Sequence, residues 1–175
     1  MNIEFVRANL DQHRDLLIDF NIEYLSWIDD SVQDRYGLSL PSLLGMPIPD
    51  YVHSSLDKLC EGTPPDGVVY LVFDGEVALG MGGLRRIRDG VGEIKRIYVS
   101  RTSRGGGVGA KVLNRLVRDA RSFGYQDLVL DTGPFMTSAH RLYEAAGFAD
   151  IPPYPEAEVP EALHHGWRFM RCRLG

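Results

Sequence analysis

The spacing of apolar positions changes several times along the chain, and each change predicts a new element. "IEFVRA" alternates as a strand does, whereas the apolar residues of "NLDQHRDLLIDFNIEYLSWI" fall on one stripe of a helix. Asn9 is the predicted N-cap of this helix, with Gln12 as its capping-box partner. Segment 29–50 is rich in Gly, Pro and Asp and predicts a loop, and "YVHSSLDKLCE" predicts a second helix.

The middle of the chain predicts a meander of three antiparallel strands. Two Asp-Gly steps, at 74–75 and 89–90, separate three runs that are rich in β-branched and aromatic residues. Helices are predicted over "GVGAKVLNRLVRDARSF" and "MTSAHRLYEAAGF", and strands over "QDLVLDT" and "GWRFMRCRL". The proline-punctuated "IPPYPEAEVPEA" predicts a loop before the last strand. This order predicts an α/β (α+β) fold, and we expect residues 1–175 to form one domain.

Composition restricts the class of protein. Of the 175 residues, 44% are hydrophobic and 25% are charged, as in an ordinary globular domain. No apolar run approaches the roughly 20 residues of a membrane span, and the N-terminus has no basic flank followed by an apolar run. Cys60 and Cys172 lack disulfide or zinc-ligand spacing, so we expect a cytoplasmic protein with no metal site.

Charge is spread unevenly over the chain. Residues 1–66 hold 12 acidic and 4 basic side chains, and residues 67–175 hold 12 acidic and 15 basic ones. The asymmetry fits a cationic ligand on one side and a phosphate-bearing ligand on the other, and it fits ordinary solvated faces equally well. The overall charge of −5 argues against a nucleic-acid partner.

The segment "RIYVSRTSRGGGVGAKVLNRLV" joins a strand to a helix through three consecutive glycines. The first N–H groups of a helix have no partner within the helix, and the helix dipole favours negative charge there. A strand, a glycine-rich turn and a helix in this order therefore predict an anion site, and a pyrophosphate would use several of these amides.

Two dinucleotide or nucleotide motifs compete for this turn. "GGGVGA" satisfies G-x-G-x-x-A, and Asp131 ends the next strand, as in a Rossmann fold. However, the polar residues "SRTSR" separate the strand from the glycines, and the chain after Asp131 is too short for a second mononucleotide half. A Walker A motif also fails, since Ala110 stands between Gly109 and Lys111.

The same residues carry a resemblance to a known family. "RGGGVG" at 104–109 matches the R/Q-x-x-G-x-G/A motif of the GNAT superfamily of N-acetyltransferases, and "AHRLYEAAGF" resembles its A-x-x-L-Y-x-x-x-G-F helix. The resemblance spans residues 67–148. It implies a mixed, mostly antiparallel sheet of about six to seven strands flanked by about four helices. It also implies transfer of an acetyl group from acetyl-CoA to an amine.

The resemblance implies a coenzyme site on the strand, the turn and the start of the helix. Bare glycines would let the pyrophosphate of coenzyme A reach the backbone amides, and the backbone of the preceding strand would bond the pantetheine. The residues concerned are Ile97, Tyr98, Val99, Arg104, Gly105, Gly107, Val108, Gly109 and Ala110. Arg104 would pair with a phosphate or lie in solvent.

Two side chains are candidates for the proton transfers. Glu93 lies six residues before Val99, and an even separation sends both side chains to one face of a strand unless a bulge intervenes. Glu93 is therefore the candidate base, or else a surface charge beside Lys95. Tyr143 matches the tyrosine of the family's helix and is the candidate proton donor to the leaving thiolate, or else a half-buried aromatic residue.

The acceptor is expected to be an amine of unknown identity. Three aspartates, Asp29, Asp30 and Asp34, lie near Trp27 in the predicted loop, and an acidic, aromatic wall suits a cationic amine. Acetyl-CoA and this amine are the expected partners, with neither a membrane nor a nucleic acid, and a homodimer stays open. The alternative function is a non-catalytic acyl-CoA-binding or regulatory module, which would not need Glu93 or Tyr143.

Overall fold

A computed structural model describes residues 2–175 as one seven-stranded sheet with five α-helices. The strands follow the order β1-β2-β3-β4-β5-β7-β6, and every neighbouring pair is antiparallel except β4 and β5. The strands are β1 (Ile3–Arg7), β2 (Gly67–Asp74), β3 (Val77–Arg88), β4 (Val91–Val99), β5 (Asp127–Thr132), β6 (Ala149–Ile151) and β7 (Arg168–Arg173). The mixed α/β fold predicted from the sequence is confirmed.

The five helices are α1 (Leu10–Tyr36), α2 (Leu40–Leu44), α3 (Ile48–Cys60), α4 (Val108–Ser122) and α5 (Thr137–Ala145). None of them, within residues 2–175, has the length and apolar composition needed to cross a membrane. Asn9 caps α1 as predicted, since its side chain accepts a hydrogen bond from the Asp11 amide at 2.8 Å. The reciprocal bond comes from His13 rather than Gln12, because His13 Nδ1 accepts from the Asn9 amide at 3.0 Å.

The predicted loop over residues 29–50 is wrong for most of its length. Helix α1 continues to Tyr36 and ends at Gly37, which has a φ of 65°, and α2 and the start of α3 occupy much of the remainder. Asp29 has a structural role in this corner, because its Oδ1 accepts a hydrogen bond from the Leu40 amide at 2.7 Å.

Apolar side chains fill both faces of the sheet. On one face α4 packs against β3 and β4, and its buried residues Val112, Leu113 and Leu116 share a core with Tyr70 and Val72 of β2. On the other face α1 and α3 cover a core that includes Leu71, between those two residues on β2. This alternation is the usual consequence of strand geometry, in which successive side chains point to opposite faces.

Gly82 of β3 lies beneath α4. A Cβ atom at this position would come within 2.4 Å of Val112 Cγ1, closer than real Cβ contacts allow. The missing side chain therefore lets the helix approach the sheet closely, which is a known use of glycine in a strand.

Candidate active site

A cleft forms where β4 and β5 diverge. The two strands pair only over Val91–Glu93 and Asp127–Val129, and beyond these residues no ladder joins them. A cavity of about 420 Å³ occupies the gap between the separated ends. This gap leaves one edge of β4 without a strand partner from Ile94 to Val99.

A bulge in β4 shapes this edge. Opposite β3, Tyr98 pairs with Met81 and Lys95 pairs with Gly83, so Arg96 and Ile97 together face the single residue Gly82. Arg96 has a φ of 56°, the left-handed conformation that non-glycine residues rarely adopt. Bulges of this kind bend a strand and redirect the side chains that follow.

The bulge overturns the expectation that Glu93 and Val99 share a face. Ile94 packs in the core beneath α4, whereas Tyr98, four residues later, packs in the core beneath α1. Without an inserted residue, an even separation would place both on one face. Val99 lines the cavity, whereas Glu93 lies where β4 still pairs with β5 and does not line it.

Glu93 is completely buried in a polar network outside the cavity. Tyr154 Oη donates a hydrogen bond to Glu93 Oε1 at 2.7 Å, and Arg85 Nε donates one to Oε2 at 2.5 Å. Burial raises the pKa of Glu93, against the opposing effects of Lys95 and Arg85. The role of Glu93 as base stays a prediction, although both of its oxygens are already engaged.

The glycine turn presents free backbone amides to one mouth of the cavity. Gly105 and Gly107 have φ values of 84° and 73°, which explains the residue type at these two positions. Gly107 is the N-cap of α4, and its carbonyl accepts from the Lys111 amide at 3.2 Å. The three helical amides before Lys111, those of residues 108–110, have no acceptor within residues 2–175.

The other predicted coenzyme residues lie beside these amides. Ile97, Tyr98, Val99, Arg104 and Gly109 all line the cavity, whereas the Val108 side chain is buried in the core. Arg104 Nε donates a hydrogen bond to the Val99 carbonyl at 3.2 Å, and its guanidinium carbon lies 5.6 Å from the centre of the Trp27 ring. Arg104 is thus an exposed residue of the cavity lining whose side chain is oriented by these two contacts.

Tyr143 of α5 also lines the cavity and is 7% exposed. Its ring packs against Phe148, with the centroids 5.9 Å apart. Burial raises the pKa of the phenol, and Tyr24 and Asp131 raise it further. Asp131 lines the same cavity as this phenol.

Asp131 is a site residue that the sequence reasoning considered only for a dinucleotide fold. It lies near the end of β5, past the last pairing with β4, and it lines the cavity. Trp167 Nε1 donates a hydrogen bond to Asp131 Oδ1 at 2.9 Å. Burial raises the pKa of Asp131 above its ordinary value of 3.8, against the lowering effects of the Trp167 hydrogen bond, Lys95 and Arg96.

Aromatic rings form one wall of the cavity. The rings of Trp27 and Phe135 meet edge to face at 5.6 Å, and those of Phe135 and Trp167 do so at 5.8 Å. Tyr24 and Tyr51 complete the wall. The expected acidic part of this wall is wrong, since Asp29, Asp30 and Asp34 lie on α1 outside the cavity lining. The carboxylates that do line the cavity are Asp131 and Glu158.

Glu158 separates this cavity from a second one of about 230 Å³, and it lines both. Its carboxylate forms ion pairs with Lys95, with Arg85 at 3.0 Å and with Lys58 at 3.3 Å. Burial alone would raise the pKa of Glu158, but Lys95 and Arg85 outweigh it and lower the pKa to about 2. The long loop before β7 is thereby attached to β3, β4 and α3.

Comparisons with known proteins agree with this geometry. A sequence profile of the Acetyltransferase (GNAT) family matches residues 32–148, which is more than half of the chain. The chain therefore belongs to the GNAT family of acetyltransferases. This result confirms the resemblance that the glycine turn and the α5 motif carried.

Individual relatives cover the chain to different extents. The uncharacterized N-acetyltransferase YsnE of Bacillus subtilis is 30% identical over 139 residues, or 77% of this chain and 87% of the relative. An IAA acetyltransferase of Azospirillum brasilense is 42% identical over 65 residues, which make up 37% of this chain and only 42% of that protein. The PaiA N-acetyltransferase of Thermoplasma acidophilum, solved in complex with coenzyme A, superposes with a TM-score of 0.73 at 16% identity over 99% of each chain.

Proposed function

We propose that the protein transfers the acetyl group of acetyl-CoA to a primary amine by direct attack within a ternary complex. The observation that carries the proposal is the single cavity between β4 and β5, which joins the free amides of the glycine turn to Tyr143 and Asp131. A site that holds both substrates in one cavity favours direct transfer over a covalent enzyme intermediate. Cys60 and Cys172 are free thiols outside the cavity lining, consistent with that route and with a proposed cytoplasmic location.

In this proposal the coenzyme binds mainly to backbone groups. The amides of residues 107–110 would bind the pyrophosphate, each contributing roughly 1.5–3 kcal/mol through a charge-assisted hydrogen bond. The unpaired edge of β4 at Ile97, Tyr98 and Val99 would bond the pantetheine and orient the thioester carbonyl. The PaiA protein, which shares this fold, was solved in complex with coenzyme A, which supports coenzyme A as a ligand.

The amine must lose a proton before or during the attack. An alkyl ammonium with a pKa of about 10.4 is charged at pH 7, and releasing its lone pair costs roughly 4.6 kcal/mol. We assign the proton acceptor to Asp131, because its carboxylate lines the cavity and its raised pKa makes it a better base. Glu93 is the second candidate, and it would require its bonds to Tyr154 and Arg85 to rearrange.

Tyr143 would assist the leaving group. The amine nitrogen forms a bond to the thioester carbon, the carbon–sulfur bond breaks, and the sulfur leaves with the electron pair. The raised pKa keeps the Tyr143 phenol protonated at neutral pH, so the phenol can donate to the sulfur as negative charge develops.

The test is an acceptor screen that measures coenzyme A release by the wild type and by Asp131→Asn, Glu93→Gln and Tyr143→Phe. We expect Asp131→Asn to lower kcat/KM at least 100-fold and to remove the acidic limb of the pH profile, because the base must be ionised to accept a proton. Loss of that limb in Glu93→Gln but not in Asp131→Asn would assign the base to Glu93 instead. Tight acetyl-CoA binding without turnover on any amine would favour the non-catalytic module.

A further inference from the structure

The charges that line the main cavity are not all paired with each other. The cations are Lys95, Arg96 and Arg104, and the anions are Asp131 and Glu158. Lys95 is paired with Glu158, whereas Arg104, which has no carboxylate partner among residues 2–175, lies beside the glycine turn where the proposed function places the pyrophosphate. One cation, Arg96, and one anion, Asp131, therefore remain for a ligand.

Arg96 is the residue that the bulge places at the edge of the cavity. Its Nη1 donates a hydrogen bond to Asn21 Oδ1 at 2.9 Å, and its guanidinium carbon lies 6.0 Å from the centre of the Tyr24 ring. Within residues 2–175 no carboxylate lies within 4.0 Å of this guanidinium. A guanidinium has five N–H donors in a fixed fork, so most of its donors remain for a ligand.

The backbone conformation of Arg96 is a second indication that this residue has a functional role. The left-handed conformation is strained for an arginine, and a glycine would adopt it without that strain. Strain of this kind persists at sites where the side chain itself is needed. The hydrogen bond to Asn21 gives the Arg96 side chain a structural role, but it uses only one nitrogen of the guanidinium.

Arg96 and Asp131 lie on the two separated strands, with the cavity between them. Resting on the acetyl transfer proposed above, we propose that the acceptor is an amino acid whose carboxylate binds Arg96 and whose ammonium group faces Asp131. A guanidinium matches a carboxylate with two parallel hydrogen bonds. The aromatic wall of Trp27, Phe135 and Trp167 then receives an apolar or aromatic side chain.

The charge count favours a carboxylate over a phosphate group. Away from the glycine turn, and within residues 2–175, Arg96 is the one cation of the cavity lining that has no carboxylate partner, and Asp131 lines the same cavity. A doubly charged phosphate would leave one negative charge without a partner beside the Asp131 carboxylate, and like charges at close range repel each other. A carboxylate carries a single negative charge, which Arg96 alone can compensate.

The test compares matched acceptors that differ only at the carboxylate. We expect the wild type to acetylate L-phenylalanine with a kcat/KM at least 10-fold above those of phenethylamine and L-phenylalanine methyl ester. The ratio should fall at least 10-fold in Arg96→Gln and less in Arg96→Lys, which keeps the charge but loses the fork. Arg101→Gln is the control, because this arginine lies just after β4, 3.8 Å from Glu23, and should leave the ratio unchanged.

The outcomes separate this inference from the proposed function. Turnover of amines with no preference for the carboxylate overturns the inference alone, whereas no turnover of any amine overturns both. If Arg96→Gln lowers the kcat/KM of all three acceptors equally, Arg96 has only a structural role. Should Arg96→Gln fail to fold, as a melting curve would show, the wild-type ratio and Arg96→Lys still decide the question.

Discussion

The two halves of the cavity are built in different ways. The proposed coenzyme half comes from two neighbouring stretches, residues 97–99 and 104–110, and offers mainly backbone groups. The acceptor half offers side chains, and they come from α1, α2, α3, the β4 bulge, the end of β5 and the loop before β7. A local segment with a fixed backbone suits a constant ligand such as coenzyme A, whereas scattered side chains can specify a particular acceptor.

The two halves of the cavity should also differ in what their substitutions cost in binding free energy and in stability. Backbone amides at a helix start are oriented by the helix itself, so binding a phosphate there orders few additional groups. The acceptor half depends on ion pairs and ring contacts between segments distant in sequence, such as Glu158 with Lys58 and Arg85. Substitutions in the two halves should therefore separate coenzyme affinity, chemistry and stability.

The largest effect is expected for Gly109→Asp in the coenzyme half. A Cβ at Gly109 would meet Val99 Cγ2 and Leu142 Cδ2 at 3.8 Å, an ordinary contact, so the protein itself accepts a side chain there. The new carboxylate would repel the pyrophosphate, and we expect coenzyme A affinity to fall at least 100-fold, or about 2.7 kcal/mol. An acidic residue in the first turn of a helix stabilises it, so the melting temperature should not fall.

Gly124→Asp is the matched control for this substitution. It adds the same charge just beyond the other end of α4, where Gly124 has a φ of 83° and open space around it. Titration calorimetry should show unchanged coenzyme A affinity, with a lower stability because a non-glycine residue is strained at this φ and an anion is unfavourable at a helix C-terminus. Equal affinities for Gly109→Asp and the wild type would place the diphosphate elsewhere.

The next effect concerns Tyr143, where the two halves meet. We expect Tyr143→Phe to lower kcat about 10-fold or more, a rise of about 1.4 kcal/mol in the barrier, with coenzyme A affinity unchanged. Steady-state kinetics and calorimetry on the same preparation provide both numbers. Tyr125→Phe is the control, because this buried tyrosine bonds the Asp66 carbonyl at 2.9 Å outside the cavity, and its kcat should equal that of the wild type. A kcat unaffected by Tyr143→Phe would remove the phenol from the mechanism.

The smallest effect is expected for stability in the acceptor half. Because the pKa of Glu158 is lowered from 4.5 to about 2, its ionised form stabilises the fold above pH 4.5. This contribution declines as the pH falls below 4.5 and is lost below about 2. We expect Glu158→Gln to lower the free energy of unfolding at pH 7 by only about 1 kcal/mol, because the side chain is partly exposed and solvent screens the ion pairs.

Urea unfolding at pH 7 and at pH 3 measures this dependence. The difference between the wild type and Glu158→Gln should be smaller at pH 3 than at pH 7. Glu156→Gln removes a pair with Arg88 alone, whereas Glu158 pairs with three cations, so it is the matched control and should change stability less. A difference that does not depend on pH would mean that Glu158 acts through packing rather than charge.

The elements that form the proposed coenzyme half could be predicted from the sequence because their signals are contiguous. The Asp-Gly steps fixed the meander, and the glycine turn preceded an amphipathic helix that the structure confirms as α4. The same reasoning placed Asp29, Asp30 and Asp34 in a loop, because Asp is uncommon inside helices. In the structure all three lie on α1, which extends to Tyr36. Composition is a weak guide to where a long helix ends.

Two features of the acceptor half could not be predicted, for physical reasons. No glycine in the sequence marks the bulge at Arg96. Because of this bulge, Glu93 and Val99 do not share a face of β4 as their even separation had predicted. Asp131 could be located in the sequence at the end of a buried strand. Its hydrogen-bond partner Trp167, however, is 36 residues away, so the sequence did not show that the two residues meet. Only the divergence of β4 from β5, a property of pairing rather than of either strand, turns that strand end into a cavity wall.

Gly82 gives the coenzyme site a dependence on a strand that no ligand contacts. Its missing methyl group sets the height of α4 above the sheet, since any Cβ there would collide with Val112. A larger residue at 82 would lift the helix and carry its N-terminal amides away from the β4 edge that must hold the same coenzyme molecule. The distance between the proposed diphosphate and thioester sites thus depends on the absence of a Cβ atom at Gly82, beneath α4.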